Sequence, residues 1–131
     1  MKVIDSSALI KYIVKEPGWR KVQEFISAGC ITVDLALKEL GNALWKRVMR
    51  KELDESLATK LMNTILRRRI VRVYPQEPLL VEALKLSTNI SLPIYDVIYI
   101  VLAKELKTEL ITSDVEQAKK AEELGVFSIL V

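Results

Sequence analysis

"YDVIYIVLAKELKTELITSD" (Tyr95–Asp114) decides how this chain is read. From Val97 to Ala103 every residue is apolar or aromatic, yet Asp96 stands at the head of the run. Pro93 lies three residues before it, where a helix can begin. "ELIT" (Glu109–Thr112) is short, apolar and β-prone, so a buried helix passes into a buried strand, with Asp114 just beyond it. An ionised carboxylate beside so apolar a segment costs several kcal/mol unless it has a partner or a purpose.

The same alternation runs outward in both directions. "KVID" (Lys2–Asp5) reads as a strand, after which Ser6 and Ser7 offer hydroxyl caps to a helix from about Ala8 to Val14. Pro17-Gly18 breaks the chain, Trp19–Ser27 has helical spacing, and Gly29 ends it. "CITV" (Cys30–Val33) is a second strand, and Asp34 is placed to cap a helix running to about Arg50. The next helix runs from Asp54 to near Arg68, with Leu57, Leu61, Ile65 and Leu66 on its expected buried side.

"IVRVY" (Ile70–Tyr74) is a third strand, Pro78 starts a helix continuing through Leu79–Leu86, and Asp114–Leu124 forms the last helix. Gly125 stops it, and "FSILV" (Phe127–Val131) is a fifth strand. Short apolar strands alternating with helices specify βαβ units. The expected fold is therefore α/β, a three-layer open parallel sheet of about five strands flanked by helices, in one domain spanning residues 1–131.

Composition narrows the chemistry. The chain has no histidine and one cysteine, Cys30, which removes Ser-His-Asp and Cys-His nucleophile systems, histidine or cysteine zinc sites and internal disulfides. Gly18, Gly29, Gly41 and Gly125 are isolated, so no glycine-rich phosphate loop exists. The longest apolar run falls far short of the roughly 20 residues that span a bilayer. An acid at Asp5 interrupts the N-terminus where a secretory signal needs apolar sequence, so a cytoplasmic location is expected. What remains is chemistry by carboxylates, hydroxyls, lysines or an oxygen-ligated metal.

Four carboxylates stand out. Ligands of open parallel sheets bind beyond the carboxyl ends of the strands, where the strand order reverses. Asp5 ends the first strand and Asp114 follows the fourth, so both face one crevice if those strands are neighbours. Asp96, in the first turn of the helix leading to the fourth strand, can face the same edge. Glu39 has Ala36 three residues before it and Ala43 four after it, a small-residue helix face able to line a tight cleft. Two charges about 4 Å apart repel by roughly 4 kcal/mol at an effective dielectric near 20. Such a cluster makes sense with cations in it, and oxygen ligands alone select Mg²⁺ or Mn²⁺. With four of the 17 acids so neutralised, 13 remain against 20 bases, a net charge near +7 that favours a polyanionic partner. "KRVMRK" (Lys46–Lys51) and "RRR" (Arg67–Arg69) are candidate tracks for an RNA backbone.

With these residues in place the sequence resembles the PIN-domain ribonucleases, and in particular the small VapC-type toxins. The resemblance is carried by "VIDSSALI" (Val3–Ile10), "LKELGNALWKR" (Leu37–Arg47), "YDVIYIVLAKEL" (Tyr95–Leu106) and "LITSD" (Leu110–Asp114), in that order. It implies that Asp5, Glu39, Asp96 and Asp114 form an acidic quartet around one or two Mg²⁺ or Mn²⁺ ions. Asp5 and Asp96 would be the principal ligands, with Ser6 and Thr112 as supporting hydroxyls. It further implies endoribonuclease action on single-stranded RNA, a homodimer, and a small antitoxin protein that blocks the cleft. Asp34 stands where the family often has a proline. The competing readings are a catalytically silent PIN-like module that binds RNA or protein, and a receiver-type phosphoacceptor domain. The latter calls for a carboxylate after the third strand, where this chain has Tyr74-Pro75.

Overall fold

A computed structural model describes residues 1–131. Five strands, β1 (Lys2–Ile4), β2 (Cys30–Val33), β3 (Arg72–Tyr74), β4 (Leu110–Thr112) and β5 (Ser128–Leu130), form one sheet in the order β3-β2-β1-β4-β5. Every pairing is parallel, with Val3 opposite both Ile31 and Leu110. Seven helices connect them: α1 (Ser6–Ile13), α2 (Trp19–Ala28), α3 (Leu35–Met49), α4 (Glu55–Arg68), α5 (Leu80–Ile90), α6 (Ile94–Glu105) and α7 (Val115–Glu123). This is the parallel α/β sheet expected from the alternation of elements.

From β1 the chain moves outward to β2 and β3, then returns across β1 to β4 and β5. Right-handed crossovers in opposite directions place their helices on opposite faces. Accordingly α1 packs on α2 and α3, and α3 on α4, while α6 packs on α5 and α7. The order reverses between β1 and β4, so the ligand crevice of this fold opens at their carboxyl ends.

α6 explains its own composition. It lies over β1, β2 and β4 and is flanked by α5 and α7, and all of Val97–Ala103 is buried. Its Pro93 start and apolar circumference are those of a central core helix. No single helix is long and apolar enough to cross a membrane.

Several local expectations change. α1 begins at Ser6 and its cap is Asp5, whose Oδ1 accepts from Ala8 N at 2.9 Å; Ser6 and Ser7 lie inside the helix. Asp34 makes no capping bond; it accepts instead from Gln76 N at 3.1 Å, tying the end of β2 to the segment after β3. α4 buries Ala58 and Ile65, whereas Leu57 and Leu66 are exposed, because α4 touches α3 along a narrow seam. β3 is shorter than expected, with Ile70 and Val71 preceding it, and a 3-10 turn at Glu77–Leu79 leads into α5.

Candidate active site

The pairing of β1 with β4 brings Asp5 and Asp114 together, as neighbouring strands at the point of reversal must. Both carboxylates cap helices. Asp5 caps α1, and Asp114 accepts from Gln117 N at 3.1 Å to cap α7. Two helix N-termini therefore aim their partial positive charge at the crevice.

Asp5 is almost fully buried and heavily bonded. Ser7 Oγ lies 2.8 Å from both of its oxygens, Ala8 N donates to Oδ1, and Thr112 Oγ1 lies 2.7 Å from Oδ2. Ser7 has a single proton, so at most three donors serve the four lone-pair sites of this carboxylate, leaving one free. Despite these bonds, burial pushes Asp5 up to about 6, with the charge of Asp114 adding to the effect.

Thr112 is the junction of the site. Its hydroxyl also lies 2.7 Å from Gln117 Oε1 and accepts from Asp114 N at 2.9 Å. It has one proton and two oxygen neighbours competing for it. Gln117, itself buried, passes the connection on by donating from Nε2 to the backbone carbonyl of Asp96 at 2.8 Å. A chain of contacts thus runs Asp5–Thr112–Gln117–Asp96 across the crevice.

Asp96 sits half-buried in the first turn of α6 and is pushed up to about 6 by burial first, then by Asp114, Glu39 and Glu116. Glu39 reaches the same crevice from α3, where Tyr99 of α6 donates its hydroxyl to Glu39 Oε1 at 2.5 Å. Tyr99 is fully buried, and desolvation together with the neighbouring carboxylate holds its hydroxyl protonated. Of the four carboxylates singled out in the sequence, Asp114 therefore acts electrostatically on both Asp5 and Asp96, and Glu39 acts on Asp96.

The supporting hydroxyls divide. Thr112 contacts Asp5 as its position suggested, but Ser7 makes the second hydroxyl contact, while Ser6 faces Tyr99 and the cleft beside Glu39. Helix geometry explains the exchange, since with Asp5 as cap the second helical residue turns back to it. Sequence reading missed Tyr99, Gln117 and Glu116 as site residues. The Asp114-x-x-Gln117 spacing is that of a capping box, a signal that was legible, although Gln117 turns its amide to Thr112 and Asp96 instead.

The donor set is entirely oxygen and net negative, with Cys30 removed from it by a bond to Phe25 O. No three acidic side chains close on one point as a ready cage. Mg²⁺ suits such an open arrangement, because it keeps several waters and takes one or two carboxylates directly. The raised acids, Asp5 and Asp96, carry negative charge that the protein leaves uncompensated, so the residues fit Mg²⁺ or Mn²⁺.

The PIN domain family profile matches residues 2–123. The chain belongs to the PIN-domain family. Ribonuclease VapC3 of Pyrobaculum aerophilum is 28% identical over 121 residues, covering 90% of this chain and 92% of that protein. Exonuclease VapC9 of the same organism is 28% identical over 130 residues, 98% of this chain and 92% of the relative. The crystal structure of PAE2754, again from P. aerophilum, superposes with a TM-score of 0.77 at 25% identity, covering 97% of this chain and 82% of that one. A toxin–antitoxin complex from Klebsiella pneumoniae shares the fold, with a TM-score of 0.59 at 15% identity over 89% of each chain.

Within this PIN domain, Tyr99 is the contact most open to test. Tyr99→Phe removes the hydroxyl that holds Glu39 and leaves the ring packed. Loss of such a supporting bond typically weakens metal binding by about 10–100-fold. Titration calorimetry with Mn²⁺ is expected to show a loss in that range, and an unchanged affinity would show that Glu39 needs no such support.

Proposed function

We propose that this PIN domain is a Mg²⁺- or Mn²⁺-dependent endoribonuclease that hydrolyses phosphodiester bonds in single-stranded RNA as the toxin of a toxin–antitoxin pair. The reading includes a cytoplasmic location, a homodimer, and a small antitoxin that covers the cleft. The observation that carries it is the crevice at the carboxyl ends of β1 and β4, where burial raises Asp5 and Asp96 to about 6 and the charge of Asp114 adds to both, that of Glu39 to Asp96. The name of the relative VapC3 as a ribonuclease supports the substrate class, and the toxin–antitoxin complex from Klebsiella that shares the fold supports a protein partner.

The chain's own residues divide the work. Asp5 and Asp96 would hold the ion, with Glu39 and Asp114 as further ligands or as holders of the water around it. Such an ion would supply positive charge to the phosphoryl group and would lower the pKa of a water. Thr112 and Ser7 fix the Asp5 carboxylate so that its free lone pair has one direction. Tyr99 holds Glu39, and Gln117 ties the backbone at Asp96 to Thr112. Positioned charge of this kind is the main resource available for phosphoryl-transfer catalysis.

The two VapC relatives carry different names, ribonuclease and exonuclease, so the substrate must separate the modes. Circular single-stranded RNA has no end for an exonuclease. Purified protein with Mn²⁺ or Mg²⁺ is expected to open the circle, and EDTA to stop it. Degradation of linear RNA with the circle intact would replace the endonuclease by an exonuclease. Metal binding without cutting of either would favour the silent module.

A further inference from the structure

A second cleft adjoins the acidic crevice on the α3 side. It has a volume of about 420 Å³, and it shares Ser6 and Glu39 with the acid site. Ile10 and Ala43 contribute apolar surface, while Lys38, Asn42, Lys46 and Tyr95 supply its polar and aromatic rim. Lys38, Asn42 and Lys46 follow one another at four-residue intervals, so they form a single row along α3. With a rise of 1.5 Å per residue, the two lysines stand about 12 Å apart along the helix axis, a spacing that reaches two phosphates of one strand that are not adjacent.

These lysines are free cations. The ion pairs of the protein involve Lys2, Arg47 and Lys120 on the basic side, and neither Lys38 nor Lys46 is among them. The contrast with Arg47 is sharp, because that next residue on α3 is held by Glu16 at 2.6 Å and approaches Glu52. Glu39 forms no ion pair with either of them, and its side-chain bond is the one it accepts from Tyr99. Tyr95 precedes Asp96 directly, makes no side-chain hydrogen bond, and leaves 59% of its surface exposed at the cleft. An exposed aromatic ring, two unpaired ammonium groups and an amide along one groove are the parts of a single-strand binding track. Arg67–Arg69 do not line this cleft; Arg69 lines a separate apolar groove beside β3.

We propose that the Lys38–Asn42–Lys46 row and Tyr95 form the subsite for the nucleotides flanking the scissile phosphate, the lysines meeting the backbone and Tyr95 stacking on a base. This rests on the ribonuclease reading and adds to it the direction in which the RNA leaves the acids, along α3. Each phosphate contact to a single strand contributes about 0.7 to the slope of log affinity against log salt, and each stacked base about 1–3 kcal/mol. The lysines therefore act through the salt dependence, and Tyr95 without it.

The test measures fluorescence anisotropy of a short labelled oligo-uridylate with the full-length Asp96→Asn protein, which keeps the RNA uncut. MgCl₂ is held constant and KCl varied. In this background, Lys38→Ala with Lys46→Ala is expected to lower the salt slope by about 1.4. Tyr95→Ala is expected to weaken binding about 5–150-fold with the slope unchanged. Arg67→Ala with Arg68→Ala, lying outside the cleft, is expected to change neither. Circular dichroism checks that each variant is folded. A double-lysine variant with the parent slope, or an arginine variant that loses as much, would overturn the proposal, as would no binding of the oligonucleotide by the parent. If the slope falls as expected but the wild type cuts no RNA with metal, the row is an RNA-binding track and the nuclease reading fails. If the wild type cuts while the lysine variant binds as before, the reverse holds.

Discussion

Asp96→Asn is expected to reduce metal-dependent cleavage of single-stranded RNA by at least about 100-fold, since a metal's charge is worth several kcal/mol and each 1.36 kcal/mol is tenfold in rate. Asp96 stands in the first turn of α6, half-buried, with Asp114, Glu39 and Glu116 all pressing on its charge. Asparagine keeps the shape and the α6 backbone, including the carbonyl that accepts from Gln117 Nε2. Only the charge is lost, so circular dichroism and melting should change little while the activity falls. A fluorogenic RNA assay in Mn²⁺, with EDTA as the floor, measures the effect. Activity within a fewfold of wild type would remove Asp96 from the site and with it the quartet.

Asp5→Asn is expected to do two opposite things, abolishing cleavage while making the metal-free protein more stable near neutral pH. The ordinary carboxylate value of 3.8 rises to about 6 at Asp5, and that difference corresponds to about 3 kcal/mol favouring the protonated form in the folded state. Between these values the folded protein binds more protons than the unfolded chain. Stability from this group is therefore present at low pH and falls as pH rises from about 4 to about 6, remaining low above that. Asp96 acts in the same direction.

Asparagine carries no charge to desolvate and still offers an oxygen to Ala8 N. Its amide hydrogens also free the Thr112 proton for Gln117, ending the competition for that single proton. A gain of about 1–2 kcal/mol at neutral pH, some 3–10 °C in melting temperature, is expected in EDTA. The variant's melting temperature should also lose the wild type's decline between about pH 4 and 6. Mg²⁺ or Mn²⁺ should raise the melting temperature of the wild type and not of the variant. An Asp5→Asn protein that melts lower than wild type in EDTA at neutral pH would show that Asp5 supports the fold mainly through its bonds.

Most of the architecture was legible in the sequence because its signals are local. Short, β-prone stretches of three or four mostly apolar residues at β1, β2 and β4, and breaks at Pro17-Gly18, Gly29 and Gly125, are each decided within one turn of chain. The position of Asp5 and Asp114 just past apolar strands was equally local, and a parallel fold sends such residues to one edge. The cap at Asp54 was readable for the same reason.

The contacts between the acids were not legible, because sequence separation hides them. Tyr99 meets Glu39 across 60 residues and Thr112 meets Asp5 across 107. In the sequence Tyr99 is one more apolar position in α6, and nothing local shows that α3 brings a carboxylate to its hydroxyl. Asp34 follows the same logic, since a residue of capping type was recruited by Gln76 once β3 came alongside β2. Likewise Arg47 and Lys46 are adjacent and both basic, yet one is held by acids from two other segments and the other faces an open cleft. The amino-acid order determined the layers, the sheet edge and the acids set along it. Only the tertiary structure decided which hydroxyls and amide groups meet those acids and which lysines face the cleft beside them, because strand order and helix packing choose partners that periodicity never sees.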